Sequence, residues 1–291
     1  MMQVPIVCFV TFNRLGLTVK NLTALLKSTD DFELHIVDNN STDDTWKYIR
    51  GIKDKRMKSR KRFNINYGVV YAINYVLSKR KKDQYFILIE NDVCIETQDF
   101  VTKFMETMDT FQDVGLLGCA RKNFFEQKGI KPKKITQKGL SYYKYDMIIG
   151  CFNCIRPEVF DYIGYWNEET YAADQDMSSR INKYTPYVTG YAASIELNQT
   201  QYISCDQCLY RKECSLINQN RTCFNIHRKN YSHDKFAESL QEKKKMYYQQ
   251  LRNGKRTIYC ASIHDTESMR KHYYDIKMAH DNFNFFKKNG N

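Results

Sequence analysis

Apolar and polar positions fall into short alternating blocks along the chain. Val4 to Phe12 is an apolar run of strand length, and Leu15, Val19, Leu22, Leu25 and Leu26 recur at helical spacing within Leu15 to Lys27. Phe32 to Val37 predicts a second strand, closed by the polar Asp38-Asn39-Asn40-Ser41. Asp43-Asp44 opens a short helix carrying Trp46 and Ile49. A basic run from Lys53 to Arg62 leads to a weak strand near Phe63, and Val69 to Leu77 predicts a third helix. Tyr85-Phe86-Ile87-Leu88-Ile89 is too short for a helix and rich in aromatic and branched side chains, so it reads as a strand buried on both faces. The β-α-β-α-β-α-β alternation predicts an α/β fold, a mostly parallel, Rossmann-like sheet with helices on both faces.

The buried strand runs into Glu90-Asn91-Asp92, at the carboxyl end where open α/β sheets place ligands. Carboxylates there can hold a hard divalent cation, which in turn can hold a diphosphate. They can equally cap the next helix, expected over Thr97 to Asp109. Near the end of the chain, Phe236 to Leu251 and Thr266 to Lys288 read as two further helices.

Composition narrows the classes. With 42% hydrophobic and 14% aromatic residues, the 291-residue chain is neither disordered nor fibrous. Its formal charge of +12 argues for an anionic partner: nucleic acid, a lipid surface or a phosphorylated small molecule. Met1 to Val10 lacks the basic start of a signal peptide, and no apolar run reaches the ~18 residues of a membrane span. A cytoplasmic protein is expected, with its ten cysteines present as thiols or metal ligands.

Motifs then add up in order: Val10-Thr11-Phe12-Asn13-Arg14, Ile36-Val37-Asp38-Asn39-Asn40-Ser41-Thr42-Asp43, Asn66-Tyr67-Gly68 with Asn74, and Glu90-Asn91-Asp92. Later come Asn153 to Phe160, Gly164-Tyr165-Trp166-Asn167-Glu168, and Asp174-Gln175-Asp176-Met177-Ser178-Ser179-Arg180. Over about residues 4 to 196 the chain resembles the family-2 inverting glycosyltransferases with the GT-A fold, which move sugars from nucleotide-diphosphate donors. The resemblance implies a catalytic domain over 1–198; beyond it the residues themselves suggest a cysteine-rich insertion over 199–230 and a C-terminal helical segment over 231–291.

It also implies roles. Thr11, Asn13, Arg14, Asp38, Asn40, Asn66, Gly68 and Asn91 are expected around the donor, where Asp38 can accept from a base N–H and a ribose hydroxyl. Asp92 matches the final aspartate of the family's metal motif and would hold Mn2+ or Mg2+ across the two phosphates. Glu90 departs from the commoner aspartate and binds through water or not at all. His227 and His233 lie where relatives supply a late histidine to that metal. Asp174 aligns with the family's general base, although Ala173 stands where glutamate is usual, and Asp176 is the fallback. Asp174 also reads as the N-cap of a helix from Gln175 to Lys183; both can hold at once.

Two cysteine groups differ in kind. Cys8, Cys94 and Cys119 sit in apolar strand contexts and read as core; Cys151-Phe152-Asn153-Cys154 has redox or metal spacing, but the resemblance makes it a strand entering a helix, with core packing favoured. Cys205, Cys208, Cys214 and Cys223 form C-x2-C-x5-C-x8-C in polar, basic sequence and read as a structural zinc site, with an iron–sulfur cluster or unmetallated thiols as alternatives.

The acceptor is read from charge. Basic runs at Lys53 to Arg62, Lys79 to Lys82, Lys128 to Lys138 and Arg252 to Arg256, with the basic flanks of the cysteine segment, favour DNA. A transferase of the phage type, acting on hydroxymethylated bases, is one expectation. A cell-surface glycan or lipopolysaccharide transferase and a non-enzymatic nucleic-acid-binding protein on the same fold are the others.

Overall fold

The computed structural model describes residues 3–148, 150–199, 212 and 234–289. The four cysteines Cys205, Cys208, Cys214 and Cys223, and the two histidines His227 and His233, lie outside the described residues. Strands β1 (Ile6–Thr11), β2 (Glu33–Asp38), β3 (Met57–Arg62) and β4 (Phe86–Glu90) are parallel, linked by helices α1 (Leu15–Leu26), α2 (Thr45–Gly51) and α3 (Val69–Leu77). A short strand β5 (Val93–Ile95) and helix α4 (Phe100–Thr110) follow, then β6 (Val114–Gly118), the one-turn α5 (Phe124–Gln127) and the hairpin of β7 (Lys133–Gln137) and β8 (Leu140–Lys144). Next come β9 (Phe152–Ile155), α6 (Val159–Ile163), α7 (Ala173–Tyr184), β10 (Val188–Ala192) and β11 (Leu197–Gln199), which pairs with β5. Helices α8 (Asp234–Arg252), α9 (Thr266–Lys271) and α10 (Ile276–Asn289) complete the chain.

Nine strands form one sheet in the order β3-β2-β1-β4-β9-β6-β10-β8-β7. It is mostly parallel in its first half, but β9 runs antiparallel between β4 and β6, and the β7–β8 hairpin closes the far edge antiparallel. Alternation along the central strands explains how both faces are covered. Ile6, Cys8, Val10, Phe86 and Leu88 point to one apolar layer, packed with Val70, Ile73 and Val76 of α3. Val7, Phe9, Ile87 and Ile89 point to the other, against Leu22 and Leu25 of α1 and Phe100, Phe104 and Met108 of α4. Each such fully buried side chain contributes about 1.5–3 kcal/mol relative to exposure, so this sandwich fixes the sheet and the loops at its ends. Cys8, Cys119, Cys151 and Cys154 are buried in it as free thiols, and Cys94 is partly buried. Among the described residues no helix is long and apolar enough to cross a membrane.

Three elements differ from the pattern-based expectation. The basic run before Phe63 is itself the edge strand β3, where charge on exposed positions suits a strand with one unpaired side. The helix expected from Thr266 to Lys288 is broken at residues 272–275, because Tyr274 Oη donates to Glu168 Oε2 (2.5 Å) and the Asp275 amide donates to Glu169. Asp265 and Asp275 cap the two resulting helices, accepting from Ser268 N and Met278 N at 3.0 Å each. Third, α7 starts at Ala173, so Asp174 lies inside its first turn rather than at its cap.

Candidate active site

The loop after β1 and the loop after β2 are sewn together at the carboxyl edge of the sheet. Asn13 and Arg14 both adopt left-handed backbone (φ 53° and 65°), which turns the chain sharply into α1. The Asn13 amide donates to Ser41 Oγ (2.7 Å), and its side-chain oxygen accepts from Thr42 N (2.7 Å). Asp38, fully buried at the end of β2, accepts from the Ser41 amide (3.1 Å) and hydroxyl and faces Arg62 Nε at 3.4 Å. Burial pushes its carboxyl up to about 6, against the lowering pull of Ser41 and Arg62. Asn40 follows with φ 67°, and Asn39 Oδ1 accepts from Tyr67 N (3.0 Å), tying in the Asn66-Tyr67-Gly68 turn. Gly68 is required there. Its φ is 83°, and a Cβ would meet Tyr171 Oη at 1.9 Å and the Phe286 ring at 2.7 Å.

Polar atoms left over in these loops are informative. Asn13 Nδ2, Arg14 Nε and Asn66 Nδ2 are buried N–H donors with no hydrogen-bond partner among the described residues. Buried donors are almost always satisfied, and three orphans on loops joined in this way fit an acceptor-rich ligand such as a nucleoside diphosphate. Thr11 and Asn91 behave otherwise. Asn91 Nδ2 donates to Thr11 Oγ1 (3.0 Å) and Thr18 Oγ1 (3.2 Å), while Asn21 Nδ2 donates to the Asn91 carbonyl (2.7 Å). These two side chains are engaged in a buried polar knot that pins β4 to the first loop.

Acidic groups gather just beyond β4. Glu90, Asp92 and Asp174 lie close enough to act on one another: desolvation drives the Glu90 carboxyl well up, and the charges of Asp92 and Asp174 push it further, with Arg14 opposing. Asp174 is also raised by desolvation, and the backbone of Gly150 supplies a hydrogen bond that favours its charged form. A Cβ on Gly150 would fall 1.9 Å from Asp174 Oδ1, so the approach depends on glycine. Cys151 lies beside the group, its thiol pushed far up by burial and by the three carboxylates, which disfavours the thiolate. Hard oxygen donors of this kind fit Mg2+ or Mn2+, ions that take few protein ligands and complete their shells with phosphate and water. Among the described residues no three acidic, cysteine or histidine side chains close on a single point; Asp92 and Glu90 are the residues that would hold such an ion, with phosphate and water completing its shell.

Asp176 faces elsewhere. Its Oδ2 accepts from Arg180 Nε (2.6 Å), and that buried guanidinium also donates to the carbonyls of Ile163 (2.6 Å) and Tyr165 (2.9 Å). Sequence reading missed the partners of the site: Arg62 against Asp38, Gly150 behind Asp174, and the carboxylates Glu168 and Glu169. Glu168 accepts from Asn74 Nδ2 (2.9 Å), Ser262 Oγ (2.7 Å), Ile263 N (3.1 Å) and Tyr274 Oη. Glu169 pairs with Arg256, and Asn282 Nδ2 donates to both glutamate carbonyls at 2.8 and 2.9 Å. The segment from Arg256 to Asn282, including the first turns of α10, is thereby tied to Glu168 and Glu169. Glu168 did stand in a recognised motif, but nothing in the sequence names its partners.

Known structures share this architecture. Staphylococcus aureus TarS superposes with a TM-score of 0.51 at 17% identity, over 67% of this chain and 36% of that one. TarS residues 1–349 in complex with UDP-GlcNAc gives 0.50 at 16%, over 72% and 64%. The mannosyltransferase PcManGT from Pyrobaculum calidifontis, in complex with GDP-Man and Mn2+, gives 0.50 at 17%, over 66% and 57%. The chain spans between about a third and just under two thirds of these proteins, and at such identity the likeness is one of fold. No curated protein matches the sequence. Residues 6–165, more than half of the chain, match the model of glycosyl transferase family 2, and the chain belongs to that family.

Proposed function

We propose that the protein transfers a sugar from a nucleotide-diphosphate donor, a UDP-sugar, to a hydroxyl on a DNA base, with inversion at the anomeric carbon. The observation that carries the donor half is the set of unpartnered buried donors on Asn13, Arg14 and Asn66 beside the buried acceptor Asp38. Two proteins of the same fold are solved with nucleotide sugars, UDP-GlcNAc and GDP-Man, and one of them with Mn2+. In this reading Asp38 accepts from the base and ribose, and Arg14 neutralises phosphate charge. Asp92, with Glu90, holds Mn2+ or Mg2+, which supplies charge neutralisation for the departing diphosphate. Asp174 takes the acceptor proton. Its raised carboxyl suits a base that must hold a proton transiently, and the Gly150 amide fixes its orientation. DNA as acceptor rests on the basic surface and the +12 charge. Cys205, Cys208, Cys214 and Cys223 bind zinc in the same proposal, on the strength of their spacing.

The test is a panel of nucleotide sugars incubated with the protein, a divalent cation, and plain or hydroxymethylated DNA, read as mass added to the DNA. Asp174→Asn should retain UDP affinity while lowering kcat by ~10²-fold or more, since a general base acts on the transition state. A fully active Asp174→Asn enzyme removes the assigned base. Donor hydrolysis without transfer to DNA removes the acceptor, and the absence of both removes the enzyme reading.

A further inference from the structure

One of the basic segments stands apart in carrying its charge without ion-pair partners among the described residues. Between Arg121 and Lys144 the chain carries eight lysines and arginines against one acid, Glu126, which is more than half of the net +12 in a small part of the sequence. All eight are exposed. Among the described residues none of them is in an ion pair, so their charge is unspent within the fold. Four of them, Lys131, Lys133, Lys134 and Lys138, lie on or beside β7 and its turn.

Strand register shows where this hairpin points. Leu88 of β4 is level with Asn153, which is level with Gly118, then Tyr191, Tyr143 and finally Lys134 of β7. Since β7 runs the same way as β4, four residues further along each strand brings Asp92 and the turn residue Lys138 to the same edge of the sheet. Five inter-strand steps separate β7 from β4. At about 4.8 Å per step the hairpin stands ~24 Å to one side of the carboxylates. Half-buried aromatic rings lie between: Phe125 packs on Tyr143 (5.4 Å) and Tyr145 (6.3 Å), and the chain continues from Tyr145 to Gly150, which holds Asp174.

Resting on the DNA-acceptor reading above, we infer that the β7–β8 hairpin is the surface that tracks the phosphate backbone of the acceptor DNA, with the modified base at Asp174 about seven nucleotides away. Unpaired lysines in a row match a polymer with one phosphate per ~3.4 Å of strand, and rings beside them give bases a face to stack on. A lipid surface would need an apolar insertion face, and in 121–147 the one exposed large hydrophobic is Met147.

The experiment reverses Lys131, Lys133, Lys134 and Lys138 to Glu in the full chain, with UDP affinity as the check on folding. KM for long DNA should rise at least tenfold, and the slope of log K against log salt should fall by about 3, from 0.7–0.9 per lost phosphate contact. DNA reaching fewer than about seven nucleotides from the modified base should bind weakly and respond little to the reversal. A matched reversal of Lys53, Lys55, Lys58 and Lys61, around the opposite edge strand, controls for net charge. An unchanged slope, or an equal loss in the control, overturns the hairpin assignment while leaving DNA as acceptor. Wild-type protein that hydrolyses donor yet neither binds nor modifies DNA overturns both.

Discussion

Glu169→Ala should undock the C-terminal helices and weaken donor binding from a distance. Glu169 and Arg256 are 4% and 8% exposed, and the guanidinium is held over the rings of Tyr247 (4.3 Å) and Tyr273 (4.6 Å). Removing the carboxylate leaves that cation buried and uncompensated, which costs about 3–5 kcal/mol, and also strips the Asp275 amide of its acceptor. At roughly 2 °C per kcal/mol for a chain of this size, Tm should fall by about 6–10 °C. Hydrogen exchange should quicken first in residues 256–286, because the lost contacts join that segment to the 164–170 loop. Donor affinity should drop too, since Phe286 and Tyr171 are the side chains packed on Gly68 in the turn that carries Asn66. The paired change Glu169→Leu with Arg256→Met should recover most of the stability, as apolar replacement of a whole buried pair is commonly neutral. A loss below about 1 kcal/mol, or a double variant no more stable than the single one, would refute the latch.

Other expectations follow from the site. Gly68→Ala forces a side chain into left-handed backbone and onto Tyr171 and Phe286, so it should destabilise by about 2 kcal/mol or more and raise the Kd for UDP in calorimetry. Asp38 titrates near 6, and only its charged form accepts from both a base N–H and a ribose hydroxyl; UDP affinity should therefore climb as pH rises through about 6 and level off above it. Asp38→Asn should flatten that profile. Asp92→Ala should make UDP binding insensitive to added Mn2+, and a variant still fully metal-dependent removes Asp92 from that role. Elemental analysis should find about one zinc per chain, and Cys208→Ser should abolish it; brown protein containing iron would indicate a cluster instead.

What could be read from the sequence depended on where each residue's partners lie. The strands β1, β2 and β4 are legible because burial on both faces leaves an unbroken apolar run, and their ends place Asp38 and Asp92 at a predictable edge. Strand β3 is legible only as a weak strand placed too late, near Phe63, and β7 is not legible, because both are edges whose exposed basic residues carry no apolar period. The break between α9 and α10 was hidden for another reason: helical spacing continues across it, and the pull comes from Glu168 and Glu169, about a hundred residues away in sequence. Thr11 and Asn91 are of the right type and place for ligand contacts, yet their polar atoms are used to hold the first loop to β4. Only the partner atoms separate those two roles, and spacing does not encode them.

The order of strands gives the proposed reaction its direction. An inverting displacement needs the acceptor to approach the anomeric carbon opposite the departing diphosphate, so donor and acceptor must occupy different sides of the reacting centre. Here the loops after β1, β2 and β3, with their buried unpartnered donors, all lie on one side of β4, and the strands β9, β6, β10, β8 and β7 lie on the other. Asp92 follows β4 itself, and Asp174 reaches the same place from the helix that precedes β10, braced by the Gly150 backbone at the start of β9. The antiparallel strand β9 is what makes this division possible. It inserts between β4 and β6 and delivers Gly150 and Cys151 to the carboxyl edge, where a parallel strand would have delivered its other end. A polyanion led in along the β7–β8 hairpin would therefore meet the centre from the side away from the nucleotide, with like charges kept apart until the base hydroxyl reaches Asp174.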